Sequence, residues 1–315
     1  MGVEAAVGVE AEGVAVADAR TGFLEPRVAA ASALRGAGIG WRPQLAGWIS
    51  ARDDLGFLEV VAESVPTCGE LPTGLAGPGL PVVAHGVGLS LGGAEPLEPA
   101  RVARLATVAE RLGSPLVSEH VAFVRAGGVE AGHLLPVPRT ADALDVLVRH
   151  VRQASAELPV PLALEHVSAL LEWPDAEMGE AEFLLRVLER TDALLLLDLA
   201  NLHADAQNFG VDPLAFLDAL PLERVAYCHV AGGAAVGGLW HDTHAAAVPD
   251  PVFTLVGELA RRRPDLPGVL LERDAGWPSA AALGEEFDRL VRTVAASGAA
   301  GSSRAPAARR RGPAP

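Results

Sequence analysis

Cysteine is nearly absent from this chain of 315 residues: Cys68 and Cys228 stand alone, at unrelated positions. A disulfide framework and a thiolate zinc site are therefore excluded, and a reducing cytoplasm is the expected setting. Positive charge is scarce as well. Twenty-five Lys and Arg face 40 Asp and Glu, a formal net charge of −15, so no basic face is available for nucleic-acid phosphates. Apolar runs reach at most about ten residues, short of the ~20 needed to span a bilayer, and no membrane partner is expected. The N-terminal MGVEAAVGVEAEG lacks a basic segment and does not read as a secretory signal.

Apolar content, by contrast, is abundant. Half of the residues are hydrophobic, enough for a large buried core in one barrel-sized domain or two average ones. Residues 1–35 are rich in Ala, Gly, Val and Glu with weak patterning and read as a mobile N-terminal extension. From 297 the chain reads SGAAGSSRAPAARRRGPAP, a Pro/Gly/Ser/Arg composition expected to form a disordered tail over 297–315.

Over 36–296, short β-type apolar runs alternate with longer amphipathic stretches. The strand candidates are Gly38–Trp41, Phe57–Ala62, Pro81–Ala84, Pro115–Ser118, Val160–Leu164, Leu194–Leu197, Val225–Cys228 and Gly268–Leu271. Each is almost continuously apolar, as parallel strands covered on both faces are. Helical spacing appears in Pro99–Leu112, in Thr140–Leu158 behind the N-cap candidate Thr140, in Glu180–Arg190 and in Pro213–Leu220. Eight such strands with helices between them, over roughly 240 residues, predict an α/β (β/α)8 TIM barrel of the xylose-isomerase-like kind. A doubly wound sheet needs a Gly-rich phosphate turn after its first strand. GIGWRPQL there lacks the third glycine, and GVGLSLGG further on lacks the Lys-Ser/Thr of a phosphate loop.

Six successive apolar runs end in an ionisable residue: PVVA at His85, PLVS at Glu119–His120, VPLAL at Glu165–His166, LLLL at Asp198, VAYC at His229 and GVLL at Glu272. In a barrel the C-terminal strand ends share one mouth, so His85, His120, Glu165, Asp198, His229 and Glu272 are expected around a common centre. GLWHDTHAAAV follows the seventh strand and brings Asp242 and His244 to the same mouth. Two residues apart in an extended segment, these side chains point the same way. Four carboxylates and four histidines without a thiolate suit iron, manganese or zinc, and they are too many for one ion. Asn201, His203, Glu119, Glu63 and Arg273 are further candidates for metal or substrate contacts. Glu119 competes with His120 for the inward position, and Glu59 is read as satisfied internally. His166 and His241 are read as supporting residues, Trp240 as a pocket wall, His133 as a loop residue and His150 as a helix-surface residue. Cys228 alternates with His229 and should face the helices.

The motifs FLEVVAES, HGVGLSLG, SEH, LLPVP, LEHVS, DLANLHADAQNFGVDP, HVAG, DTH and LLERD occur in this order over about residues 37–290. In this series the chain resembles the multinuclear non-haem iron enzymes that include MbnB and TglH, TIM-barrel enzymes that modify peptides. The resemblance implies two or three iron ions (Fe2+/Fe3+) at the barrel mouth and dioxygen as co-substrate. It implies a ribosomally synthesised precursor peptide with a cysteine-containing core as substrate, and a small leader-binding partner protein. It places the metal ligands at His85, His120, Glu165, Asp198, His229, Asp242, His244 and Glu272; no separate acid or base is assigned. The chain departs from the family pattern at His166, where Asn is usual, and at Ala200–His203, where two asparagines and an aromatic are usual. Two other readings rest on the same residue mixture: a zinc- or manganese-dependent isomerase or phosphoesterase, and a non-catalytic metal- or peptide-binding barrel.

Overall fold

The computed structural model describes residues 33–75 and 79–302, the latter in backbone only from 297 onward. In chain order the strands are β1 (Ala37–Gly40), β2 (Phe57–Val61), β3 (Val82–His85), β4 (Val117–His120), β5 (Ala122–Ala126), β6 (Val129–Pro136), β7 (Leu162–Glu165), β8 (Leu194–Asp198), β9 (Val225–Val230), β10 (Gly232–Val236), β11 (Leu239–Ala246) and β12 (Gly268–Leu271). The α-helices are α1 (Ala46–Ser50), α2 (Pro99–Leu112), α3 (Ala141–Glu157), α4 (Glu180–Arg190), α5 (Leu199–Phe209), α6 (Pro213–Ala219), α7 (Asp250–Arg262) and α8 (Ala280–Ser302). Eight strands close into a parallel barrel in the order β1-β12-β9-β8-β7-β4-β3-β2, as the apolar runs predict. β5–β6 and β10–β11 are antiparallel hairpins inserted after β4 and β9.

The two-residue period of a strand explains why the runs are apolar throughout. One parity faces the helices: Leu58, Val82, Ala84, Val117, Leu164, Leu195, Leu197, Cys228 and Leu271 join the large outer core. The other parity fills the barrel floor with Phe57, Val83, Leu116, Ala163, Leu194, Leu196, Tyr227 and Leu270. Burying each large apolar side chain contributes about 1.5–3 kcal/mol. Phe57 spans the floor only because its neighbours are glycines. A Cβ on Gly38 or Gly268 would lie 2.7 or 2.5 Å from its ring. Continuing the inward parity toward the C-terminal end brings His85, His120, Glu165, Asp198 and His229 to the mouth as the final inward residues of their strands, with Glu272 just past β12.

Several expectations need correction. Leu34, assigned to the N-terminal extension, is fully buried in the floor, and its carbonyl accepts from Gly268 N. The segment just before β1 therefore packs under the barrel; residues 1–32 lie outside the described ones. α8 continues through Ser302, six residues into the segment expected to be disordered, and 303–315 lie outside the described residues. His150 is buried, with Nδ1 3.0 Å from the Leu91 carbonyl, because its helix packs that face inward. His133 belongs to β6 rather than a loop.

Candidate metal centre

Among the described residues, the mouth brings its side chains together as four donor groups that share members. His85, His120 and Glu165 form the first, Glu165, Asp198 and His229 the second, Asp198, His244 and Glu272 the third, and Glu59, His229 and Glu272 a fourth just beneath them, each with donor atoms within 4.8 Å of one another. Glu165 faces both ways. Its Oε2 lies 3.2 Å from His120 Nε2 and 3.6 Å from His85 Nε2, while Oε1 lies 3.5 Å from His229 Nδ1. His229 Nδ1 is also 3.0 Å from Glu272 Oε2. From β11, His244 Nε2 meets Asp242 Oδ2 at 2.5 Å. His244 has φ +50°, so the hairpin strand kinks where these two side chains turn into the mouth.

Asp198 shows how local structure prepares a donor. It ends β8 and N-caps α5 with no loop between, its Oδ1 accepting from Ala200 N at 2.6 Å and Asn201 N at 2.9 Å. The first turn of α5 fixes the carboxylate and leaves Oδ2 free for the centre. Each histidine is likewise tied by one nitrogen. His85 Nδ1 is 2.8 Å from Ser118 Oγ and His120 Nδ1 3.1 Å from the Gly86 carbonyl. His229 Nε2 is 2.9 Å from Glu59 Oε2 and His244 Nδ1 3.0 Å from Asp274 Oδ2. In all four rings the other nitrogen faces the carboxylates, as in metal-binding histidines oriented by a second partner.

Outside the His244–Asp242 contact, four inward atoms are not spent on hydrogen bonds. Glu165 Oε2, Asp198 Oδ2, His229 Nδ1 and Asp242 Oδ1 are buried without a hydrogen-bond partner among the described residues. A buried group left so costs about 1–3 kcal/mol, and more when charged. Two bonds of ~2.1 Å span ~4.2 Å, so small side-chain movements close each group on a first-row ion. The residues present therefore fit a metal.

The electrostatics agree. Burial, then the neighbouring Asp242 and Glu165, push the Asp198 carboxyl well above its usual range. Burial works against the charged form of His120, but Glu165 and Glu119 outweigh it and raise the ring to about 9. Burial likewise disfavours charged His229 and His244, yet Glu272, with Glu59 and Asp242, holds both well above the imidazole range. Against their own burial, Glu165 is lowered to about 2 by His120 and His229, and Glu272 is held far down by His229 and His244. The cluster thus balances its negative charge with protons on imidazole, a role that a multivalent cation takes over more fully.

Of the other candidates, Asn201 lines the pocket, its Nδ2 donating to the His166 carbonyl at 2.9 Å. The rest lie elsewhere. Glu119 accepts from Leu89 N and His120 N, and Glu63 accepts from Val87 N, so both pin the loop after β3 and His120 takes the inward position. Arg273 turns to the helix layer and binds Glu286 at 2.6 Å. His203 meets Trp240 edge to face, 5.1 Å between ring centroids, which places the tryptophan against α5 and not on the pocket wall. Buried His166 packs on Phe216, and burial lowers it to about 4.

Arg42, Asp274 and His133 line the pocket without having been foreseen. A signal for His133 was present. Gly127-Gly128, then His133, then Val137-Pro138 repeats Gly237-Gly238, His244 and Val248-Pro249. The two hairpins also share one register shift, with the break after Phe123 matching that after Gly232.

The sequence profile of the family described as "RiPP precursor modification enzyme MbnB/TglH/ChrH" matches residues 36–295. A UPF0276 protein of Streptomyces avermitilis is 50% identical over 273 residues, 84% of this chain and 56% of the relative, so this chain spans about half that protein's length. A UPF0276 protein of Anaeromyxobacter is 34% identical over 271 residues, covering 85% of this chain and 95% of the relative. Among solved structures, endonuclease IV from Thermus thermophilus is similar with a TM-score of 0.55 at 22% identity, over 82% of this chain and 99% of that one. D-psicose 3-epimerase from Clostridium cellulolyticum gives 0.52 at 13%, over 84% and 99%. At such identities these two show the shared barrel fold alone.

Proposed function

The chain belongs to the MbnB/TglH/ChrH family of precursor-modifying enzymes, and from that premise we propose that it is a multinuclear iron-dependent oxidase or oxygenase. Its substrate in this reading is a cysteine of a ribosomally synthesised precursor peptide, with dioxygen as the oxidant. The observation that carries the reading is the run of donor groups linked through Glu165 and Asp198, with Glu165 Oε2, Asp198 Oδ2 and His229 Nδ1 buried and unbonded. Shared carboxylates would suit more than one neighbouring ion, and the His/carboxylate donor set suits iron, manganese or zinc, of which family membership favours iron.

His85, His120 and Glu165 would hold one ion, Glu165, Asp198 and His229 a second, and Asp198, His244 and Glu272 a third, with Asp242 beside His244. Bound iron supplies dioxygen activation and the Lewis acidity that lowers the pKa of a substrate thiol. The chain's residues do the rest. Ser118, Glu59, Asp274 and the Gly86 carbonyl hold the four imidazoles in place. Val61, Val87, Leu134 and Val167 give the pocket an apolar wall that excludes water from a cysteine side chain. Arg42 and Asn201 supply polar contacts for peptide groups at the rim. Recognition of a leader segment by a small partner protein belongs to the same proposal.

The test is anaerobic reconstitution with ferrous iron and a cysteine-containing precursor peptide encoded beside the gene, followed by oxygen. A mass change on the core cysteine is expected. An unchanged peptide mass, or full activity with zinc or manganese in place of iron, contradicts the reading.

A further inference from the structure

Beneath the donor groups, polar side chains cross the barrel in a connected line. Glu59 on β2, Ser118 on β4 and Tyr227 on β9 are all completely buried, and Tyr227 is the chain's single tyrosine. Tyr227 Oη lies 2.5 Å from Glu59 Oε2 and 2.7 Å from Ser118 Oγ. At the ends of the line, Ser118 Oγ lies 2.8 Å from His85 Nδ1 and Glu59 Oε2 2.9 Å from His229 Nε2.

Proton positions follow by elimination. The Tyr227 hydroxyl donates to the Glu59 carboxyl oxygen. Its one proton is then used, and its oxygen accepts from the Ser118 hydroxyl. The Ser118 oxygen in turn accepts from His85 Nδ1–H. In the other arm Glu59 accepts from His229 Nε2–H. With the outer N–H of each ring so held, the nitrogen that faces the centre, and that a cation would take in place of a proton, is a different one in each: Nε2 in His85, Nδ1 in His229.

We propose that Glu59, Tyr227 and Ser118 form a relay that sets the tautomers of His85 and His229 together, so that both rings are ready to ligate. The inference rests on the metal reading of the mouth, and the three residues act as positioning residues. Packing alone does not call for these polar groups. The Tyr227 ring already meets Phe57 edge to face, centroids 5.9 Å apart, and phenylalanine would make the same contact without a hydroxyl to satisfy. A buried hydroxyl is retained at a cost unless its hydrogen bonds are made, and here they join two rings whose centroids are 5.6 Å apart.

Zinc serves as a diamagnetic probe. Its affinity for the full-length chain is measured by chelator competition, and the ring N–H protons of the zinc-loaded protein by NMR. Tyr227→Phe and Ser118→Ala should each weaken zinc binding roughly 10- to 100-fold, the usual effect of losing an outer partner of a metal-bound histidine. Both should move the His85 Nδ1–H resonance, and Tyr227→Phe should also move the His229 Nε2–H resonance. The His120 ring, held by the Gly86 carbonyl outside the relay, should not respond. Wild-type zinc affinity in both variants, with the His85 and His229 resonances unmoved, would overturn the relay alone. A wild-type chain that binds neither zinc nor iron would overturn the metal reading and the relay with it.

Discussion

Val83, Ala163, Leu196 and Leu270 stand two residues before His85, Glu165, Asp198 and Glu272, the last just past the end of β12, and point into the same barrel. Both layers are almost wholly buried. For these four lower side chains burial is its own reward, because each is apolar and packed against the other floor residues. In the upper layer burial opposes the charged forms, and Glu165 Oε2 and Asp198 Oδ2 are buried without a hydrogen bond. The difference separates a layer that stabilises the fold from one that is complete only when something cationic joins it.

Breaking the upper layer has the largest expected effect. Glu165→Gln removes the carboxylate shared by two donor groups and should lower metal affinity roughly 100-fold or more, with peptide modification lost and the barrel still folded. Elemental analysis after anaerobic loading, beside circular dichroism, checks this; a full metal complement in the variant would erase the distinction between the layers. Breaking the lower layer should do the converse. Leu196→Ala leaves a cavity in the floor and should cost about 2–5 kcal/mol of stability, read from urea unfolding, while the metal count per chain stays the same.

Acidity sharpens the contrast. His120 has its pKa raised from 6.5 to about 9 in the metal-free fold, so its charged form stabilises that fold fully below pH 6.5. The contribution fades as pH rises through about 9. Metal binding requires the neutral ring, so affinity should climb across the same window in which metal-free stability declines. Parallel chelator competition and thermal melts from pH 6 to 9 read both. Equal slopes of one sign would contradict the charge balance assigned to the mouth. The smallest effect is expected at the rim. His133→Ala should raise KM for the peptide a few-fold and leave kcat and metal content unchanged, since His133 lines the pocket but belongs to no donor group.

The sequence pattern made the barrel legible because strands buried on both faces are apolar throughout, and Gly268–Leu271 and Pro99–Leu112 were bounded to the residue. The mouth was legible because an ionisable residue that ends an apolar run has few other places to go. What stayed hidden depends on contacts between distant segments. Glu59 and Tyr227 are 168 residues apart, and no local pattern shows that they meet. Arg273 adjoins Glu272, yet strand alternation sends it outward to Glu286. The hairpins escaped notice because their strands are largely exposed or half-buried and partly polar, although paired glycines with positive φ at 127–128 and 237–238 mark both turns.

The number of iron ions held per chain tests the central claim most directly. Anaerobic titration of the metal-free protein with ferrous iron, followed by removal of loose metal and elemental analysis, should give two or three ions per chain. A count of one or none would contradict a multinuclear centre at this mouth.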